Sequence, residues 1–232
     1  MSETTSGSGP APAGPRDARA GELAVVDAVV HATPSRAVRG ELWASGGRIT
    51  HVGPCAGAAR PAHAEPIPAD GAAVVPLLVD SAVRALPDER RGAFDLVPGN
   101  PATFAVVKGR VGESRIRQML VVQPRDLVAV VTAGHVEVRR GRPTRPPGSD
   151  GSEGTGRRWH GAWRDPGRDM TQYLLPGGRY TETRQGRPDA WTGSYWVRSD
   201  RITYLDDTGF WAFGQLVDGV LHHAGFVLRR HA

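Results

Sequence analysis

The run Pro143-Thr144-Arg145-Pro146-Pro147-Gly148-Ser149-Asp150-Gly151-Ser152-Glu153-Gly154-Thr155-Gly156 divides the chain, because nothing in it can build a core. The composition on its two sides differs sharply. Before it there are one Trp, no Tyr and two Phe; after it, in 76 residues, come five Trp, four Tyr and three Phe. Two domains with different interiors follow, residues 22–142 and 157–232, joined by a linker at 143–156 that implies few crossing contacts. Residues 1–21 are mostly Ser, Gly, Pro and Ala, lack the apolar core of a signal peptide, and read as a disordered tail. With Gly 30 and Pro 19 in 232 residues, short strands and many turns are favoured over long helices.

In domain one the strand candidates are Leu23–His31, Glu41–Ala44 with Arg48–Val52 across Ser45-Gly46-Gly47, Ala73–Val79, Thr103–Val107, Met119–Val122, and Leu127–Thr132 with His135–Arg139. Such runs predict a small β-sandwich or barrel. Ser81–Phe94 has room for one helical turn. His31, His51, His63 and His135 match no metal-ligand spacing, and the lone Cys55 excludes an internal disulfide framework.

Gly47-Arg48-Ile49-Thr50-His51-Val52-Gly53-Pro54, Ala69-Asp70-Gly71 and Val74-Val75-Pro76-Leu77-Leu78-Val79-Asp80 carry a family pattern. They resemble the β-sandwich that flanks the catalytic barrel of metal-dependent amidohydrolases. In that family a His-x-His metal pair follows the last strand; here the chain reads Asp80-Ser81-Ala82-Val83-Arg84. Phe94–Ala102 already resembles the return strand from the far side of the barrel. The resemblance therefore implies a flanking sandwich without its catalytic β/α barrel, and no amidohydrolase chemistry at the usual metal site.

Domain two reads as a meander: Trp159–Arg164, Met170–Leu175, Arg179–Arg184, Trp191–Val197, Arg201–Leu205, Phe210–Val217 and Val220–Arg230. Pro176-Gly177-Gly178 supplies positive φ for a hairpin, Asp207-Thr208-Gly209 suits an Asx-turn, and Asp218-Gly219 is a type I′ signature. Seven or eight up-and-down strands would close into a small barrel, making the whole protein all-β. Leu174-Leu175-Pro176-Gly177-Gly178-Arg179-Tyr180, Tyr204-Leu205-Asp206-Asp207-Thr208-Gly209-Phe210 and Asp218-Gly219-Val220-Leu221-His222-His223-Ala224-Gly225 occur in order. They resemble the small agrobacterial lipocalin-like barrel family over essentially all of this domain, which implies a ligand-binding barrel and no established reaction.

Alternation picks the candidate site. Taken as one strand, Val220–Arg230 places Val220, His222, Ala224, Phe226 and Leu228 on one face, compatible with an interior, and turns His223 outward. Ile202, Tyr204 and Asp206 share a face of the neighbouring run. His222 and Asp206, with Tyr204, could form an acid–base pair, or the two could satisfy each other in a closed core. Tyr180, Trp191, Trp196, Trp211 and Phe213, with Trp163, Tyr173 and Tyr195, could line a pocket for a flat or apolar ligand or fill a solid barrel. Arg179 and Glu182 are candidates for the pocket mouth.

The net charge of +5 divides as 0 for 1–21, +2 for 22–156 and +3 for 157–232, with no basic stripe, and only Lys108 is lysine. Nucleic acid is therefore not an expected partner. No run approaches the roughly 20 apolar residues of a membrane span. Asp207-Thr208-Gly209 occurs once, where an aspartic protease needs two such carboxylates. Walker, Rossmann, zinc and Gly-x-Ser-x-Gly patterns are absent. The expected function is binding of a small, partly apolar molecule, with no cofactor and no metal, in a cytoplasmic protein. The alternatives are a cofactor-independent isomerase, cyclase or lyase, and a scaffold or docking protein. Domain one would then serve as scaffold or as the surface of a homodimer.

Overall fold

The computed structural model describes residues 21–55, 59–118, 121–148 and 156–231. The expected tail at 1–20, the linker centre at 149–155 and the first two residues of the Met119–Val122 strand lie outside the described residues. Domain one consists of β1 (Leu23–Thr33), β2 (Arg36–Ser45), β3 (Arg48–Gly53), β4 (Glu65–Pro68), β5 (Ala73–Pro76), α1 (Asp80–Ala85), β6 (Phe104–Val107), α2 (Glu113–Gln118), β7 (Leu127–Thr132), β8 (His135–Arg139) and β9 (Arg142–Pro143). Its strands form a single nine-stranded sheet, ordered β3-β2-β1-β5-β6-β7-β8-β9, with β4 also paired to β1.

That sheet curls on itself. Ile49 and Gly47 exchange backbone hydrogen bonds with Gly99, Asn100 and Ala102, so the 99–102 segment lies beside β3 without being a strand. One face encloses Leu23, Val25, Leu42, Ile49, Val74, Phe104, Val106 and Val131 in sandwich fashion. The opposite face, with Val75, Ala105, Val107, Leu127 and Val130, turns toward α1 and domain two. The expected Met119–Val122 strand reduces, among the described residues, to one bridge between Val122 and Trp211.

Domain two is a closed antiparallel barrel of eight strands: β10 (Gly161–Asp165), β11 (Met170–Leu175), β12 (Arg179–Arg184), β13 (Arg187–Arg198), β14 (Arg201–Asp206), β15 (Trp211–Val217), β16 (Val220–His223) and β17 (Phe226–His231). The protein is all-β, a barrel beside a separate sheet. Gly193 allows β13 and β14 to close tightly: a Cβ there would come within 2.3 Å of the Leu205 carbonyl oxygen and 2.7 Å of the Tyr180 ring.

The last expected strand is in fact a hairpin. Ala224 and Gly225 take φ of 51° and 77°, a type I′ turn that pairs His223 with Phe226 and Leu221 with Leu228. Cross-strand partners share a face, so His223 and Leu221 join Phe226 and Leu228 on the inner side. His222 points outward. A two-residue turn shifts the odd–even count relative to an unbroken strand, which reverses the faces assigned to Val220–His223 and leaves Phe226 and Leu228 inside as expected.

The linker does not separate the two domains. Trp196, Trp211, Phe213 and Val217 project from the outer barrel wall into one cluster with Leu77, Ala82, Leu86, Val122 and Leu127. Trp211 Nε1 donates to the Gly141 carbonyl at 3.2 Å, and Trp196 Nε1 donates to the Arg145 carbonyl at 3.0 Å. Glu137, on β8, accepts from Arg145 Nε at 2.9 Å and from Arg198 of the barrel. A buried tryptophan removes about 200 Å² from water, worth on the order of 5 kcal/mol before entropy. A buried ion pair loses in desolvation much of what it gains in attraction, so apolar burial dominates this contact. The expectation of few crossing contacts is corrected on that ground.

Candidate functional site

Inside the barrel, strand alternation places a chain of polar side chains among aromatics. Gln172 on β11, Glu182 on β12, Tyr204 on β14 and His223 on β16 all face inward. Their exposures are 0%, 1%, 1% and 5%. Gln172 connects two of them: its Nε2 donates to Glu182 Oε1 at 2.8 Å, and its Oε1 accepts from the Tyr204 hydroxyl at 2.8 Å. The second Glu182 oxygen accepts from Arg184 at 2.6 Å. Tyr180 meets Tyr204 edge-on, with ring centroids 5.1 Å apart. Burial raises both phenols above their ordinary range, and the Glu182 carboxylate adds to it. Both stay protonated and can donate.

His223 completes the cluster. Its ring centroid lies 4.2 Å from that of Tyr204, and its Nδ1 lies 3.3 Å from the Phe213 carbonyl oxygen. A carbonyl only accepts, so Nδ1 carries the proton and Nε2 is left as an acceptor. Burial holds the imidazole below its ordinary value, with Glu182 opposing that shift. Nε2 faces Glu182 Oε1 across 4.0 Å. His223 Nε2 thus faces a carboxylate oxygen that already accepts from Gln172.

From this interior, Arg184 leads outward. Its guanidinium sits 5.7 Å over Trp191 and 5.1 Å over Phe226, while Arg168 approaches Phe226 from the other side at 5.4 Å. Trp191 is 38% exposed, on the same strand face as Gly193 and Tyr195. The cluster therefore ends in an aromatic rim carrying two arginines.

The structure distributes the residues expected at the site. Tyr180, Glu182 and Tyr204 come together inside, and Trp191 stands at the rim. Trp196, Trp211 and Phe213 lie on the outer wall beneath domain one and line no barrel pocket. Their alternation reads as core-like because a second domain covers that wall. Arg179 and Glu182 alternate to opposite sides. Arg179 forms a two-pronged pair with Asp207 outside, at 2.9 and 2.7 Å, and this holds the Asp207 carboxyl down at about 2.

His222 and Asp206 are not brought together as an acid–base pair. His222 Nδ1 meets the Ser81 hydroxyl of α1 at 3.0 Å on the outer wall. Asp206 Oδ1 caps the following turn, accepting from Thr208 Oγ1 at 2.7 Å and from the Phe210 N–H at 2.9 Å. Sequence reasoning missed Gln172, Arg184 and His223. Recognising Ala224-Gly225 as a hairpin turn would have recovered His223; no local signal marks the other two.

Among the described residues no three His, Cys, Asp or Glu side chains gather as a metal-binding group, and no helix is long and apolar enough to cross a membrane. The curated proteins give no match. A family model described as Agrobacterium tumefaciens protein Atu4866 matches residues 157–230. The solution structure of the protein Atu4866 from Agrobacterium tumefaciens is 43% identical to this chain, over 32% of this chain and 94% of that one, with a TM-score of 0.29. On that identity over nearly the whole of the relative, the chain belongs, through its barrel, to the family of the Agrobacterium tumefaciens protein Atu4866.

Proposed function

We propose that the barrel binds a small, partly apolar molecule bearing a hydroxyl or amine, in the manner of a lipocalin-like binding module. One observation carries this reading: the buried Glu182 and His223 acceptors face each other at 4.0 Å. A hydroxyl or amine entering beside the Glu182 carboxylate would donate to His223 Nε2. Such a hydrogen bond contributes about 0.5–1.5 kcal/mol, which a ligand without a donor would lack. The apolar body of that molecule would rest on Trp191 and Phe226. Arg184, whose side chain is 33% exposed, is the group that moves to admit it. Domain one, by its resemblance to a sandwich flanking an absent catalytic barrel, serves as a scaffold that covers the outer wall.

A second reading, a cofactor-independent isomerase, cyclase or lyase, rests on the same geometry. Neutral His223 with a free Nε2 is a candidate base, and protonated Tyr204 a candidate donor, in a site shielded from water.

Thermal-shift screening of hydroxylated aromatic metabolites, each paired with its O-methyl ether, tests the binding reading. The hydroxylated member should stabilise the protein and the ether should bind about tenfold more weakly, since it cannot donate to His223 Nε2. Equal binding of hydroxyl and ether, or loss of neither in Glu182→Gln and Trp191→Ala, would refute it. Turnover of any hit, lost in His223→Gln, would favour catalysis.

A further inference from the structure

One end of the domain-one sheet gathers positive charge around an apolar hollow. The ends of β4, β6 and β8 and the start of β7 meet there and enclose a cleft of roughly 600 Å³. Pro68, Pro124 and Val128 form its apolar wall; Lys108, Arg125 and Arg140 supply its charge. Arg139 also lines the cleft, but its guanidinium bonds Glu65. The only carboxylate lining it is that of Asp70.

Lys108, the sole lysine of the chain, and Arg140 have no ion-pair partner among the described residues, and Arg125 approaches Asp126 only to 3.9 Å. The backbone fixes this rim. A Cβ at Gly141 would come within 2.2 Å of the Pro124 carbonyl oxygen, so the Arg140-Gly141 turn lies directly on the Pro124–Asp126 turn that carries Arg125. On the other side, the Lys108 N–H donates to the Asp126 carbonyl at 2.8 Å. Three cations from three segments are thus anchored around one apolar wall.

We propose that this cleft binds a small organic anion, its carboxylate or phosphate head held by the three cations and a short apolar body laid on Pro68, Pro124 and Val128. Its volume lies within the ~300–1,000 Å³ of ordinary small-molecule sites. The site is separate from the barrel interior and independent of what the barrel binds.

Calorimetric titration of the full chain with octyl phosphate, octanoate and inorganic phosphate tests this. At least one amphiphile should bind saturably and about tenfold or more tighter than inorganic phosphate. Lys108→Glu combined with Arg140→Glu should weaken that binding at least about tenfold while leaving the melting temperature near that of the parent. If the double variant melts early, Lys108→Gln alone, titrated at low and high salt, makes the same comparison. Undiminished binding after charge reversal overturns the proposal. So does an amphiphile that binds no tighter than inorganic phosphate, or none that binds.

Discussion

His223 and Tyr204 pack inside the barrel as tilted rings with centroids 4.2 Å apart, while His222, one residue earlier, meets Ser81 of the other domain. Adjacent histidines therefore belong to different structures: one to the interior network, the other to the domain interface. Substituting them separates the two. His223→Ala should lower the affinity for any barrel ligand and leave the interface intact. His222→Ala should spare ligand binding and loosen the interface, costing about 1 kcal/mol for the lost hydrogen bond. Ligand titration and chemical denaturation of both variants check the pair; a stronger binding defect in His222→Ala would refute the assignment.

The Glu182 carboxylate accepts from Gln172 and Arg184. Removing it in Glu182→Ala leaves Gln172 Nε2 without its acceptor in a closed interior, and a loss of about 1–3 kcal/mol is expected. Glu182→Gln keeps the shape and one acceptor and should cost less. Urea midpoints of the two variants decide this; equal stability would show that the network contributes nothing to the fold.

At the interface, Glu137 is buried and bound by Arg145 and Arg198. Glu137→Ala takes the carboxylate from two largely buried guanidinium groups, and breaking such a pair from one side costs about 3–5 kcal/mol. Glu137→Gln, which keeps an acceptor, should cost less. Thermal melts should also show the barrel and the sheet unfolding together in the parent protein and as two transitions in Glu137→Ala. A single unchanged transition would count against the clasp.

Excising residues 157–231 exposes Trp196, Trp211, Phe213 and Val217 together. The fragment keeps a closed barrel with its own core of Trp159, Trp163, Tyr180 and Tyr204, so it should fold, but with a large apolar face it should self-associate. Light scattering should report assemblies larger than the monomer, and Trp211→Ser should reduce them. A monomeric, soluble fragment would contradict the role given to this face.

Acid should destabilise the protein. Burial holds the His223 ring below its ordinary value of 6.5, so the folded state keeps it neutral where the unfolded chain binds a proton. Above about pH 6.5 neither state is protonated and the residue adds no pH dependence. As pH falls below that value the unfolded state gains protons first, and stability drops by up to about 1.4 kcal/mol per unit for this one group. His222, His31 and His135 are shifted the same way by burial. Denaturation at pH 7.5 and 5.5 should show the loss, and His223→Gln should reduce it. Equal stability at the two pH values would refute the assignment.

Local chemistry determined much of this architecture. The Gly46-Gly47 and Asp218-Gly219 turns and the runs Met170–Leu175, Arg179–Arg184, Leu127–Thr132 and His135–Arg139 are all found where the sequence places them. Their hydrogen-bonding partners are neighbours in the chain, and positive-φ turn residues fix hairpins without distant help. The inward face of β14, with Ile202 and Tyr204, was equally legible. Which side of the wall lay inside was not, for β15 and β16. Trp211 and Phe213 are as buried on the outer wall as Leu221 and His223 are within, because domain one covers the former and barrel closure the latter. When both faces of a strand are buried, alternation tells the faces apart but not which is the interior. The local Ala224-Gly225 turn puts His223 on the face of Phe226 and Leu228, and only the tertiary fold, through barrel closure and the packing of α1 against β15, decided that this face and not that of His222 is the barrel interior.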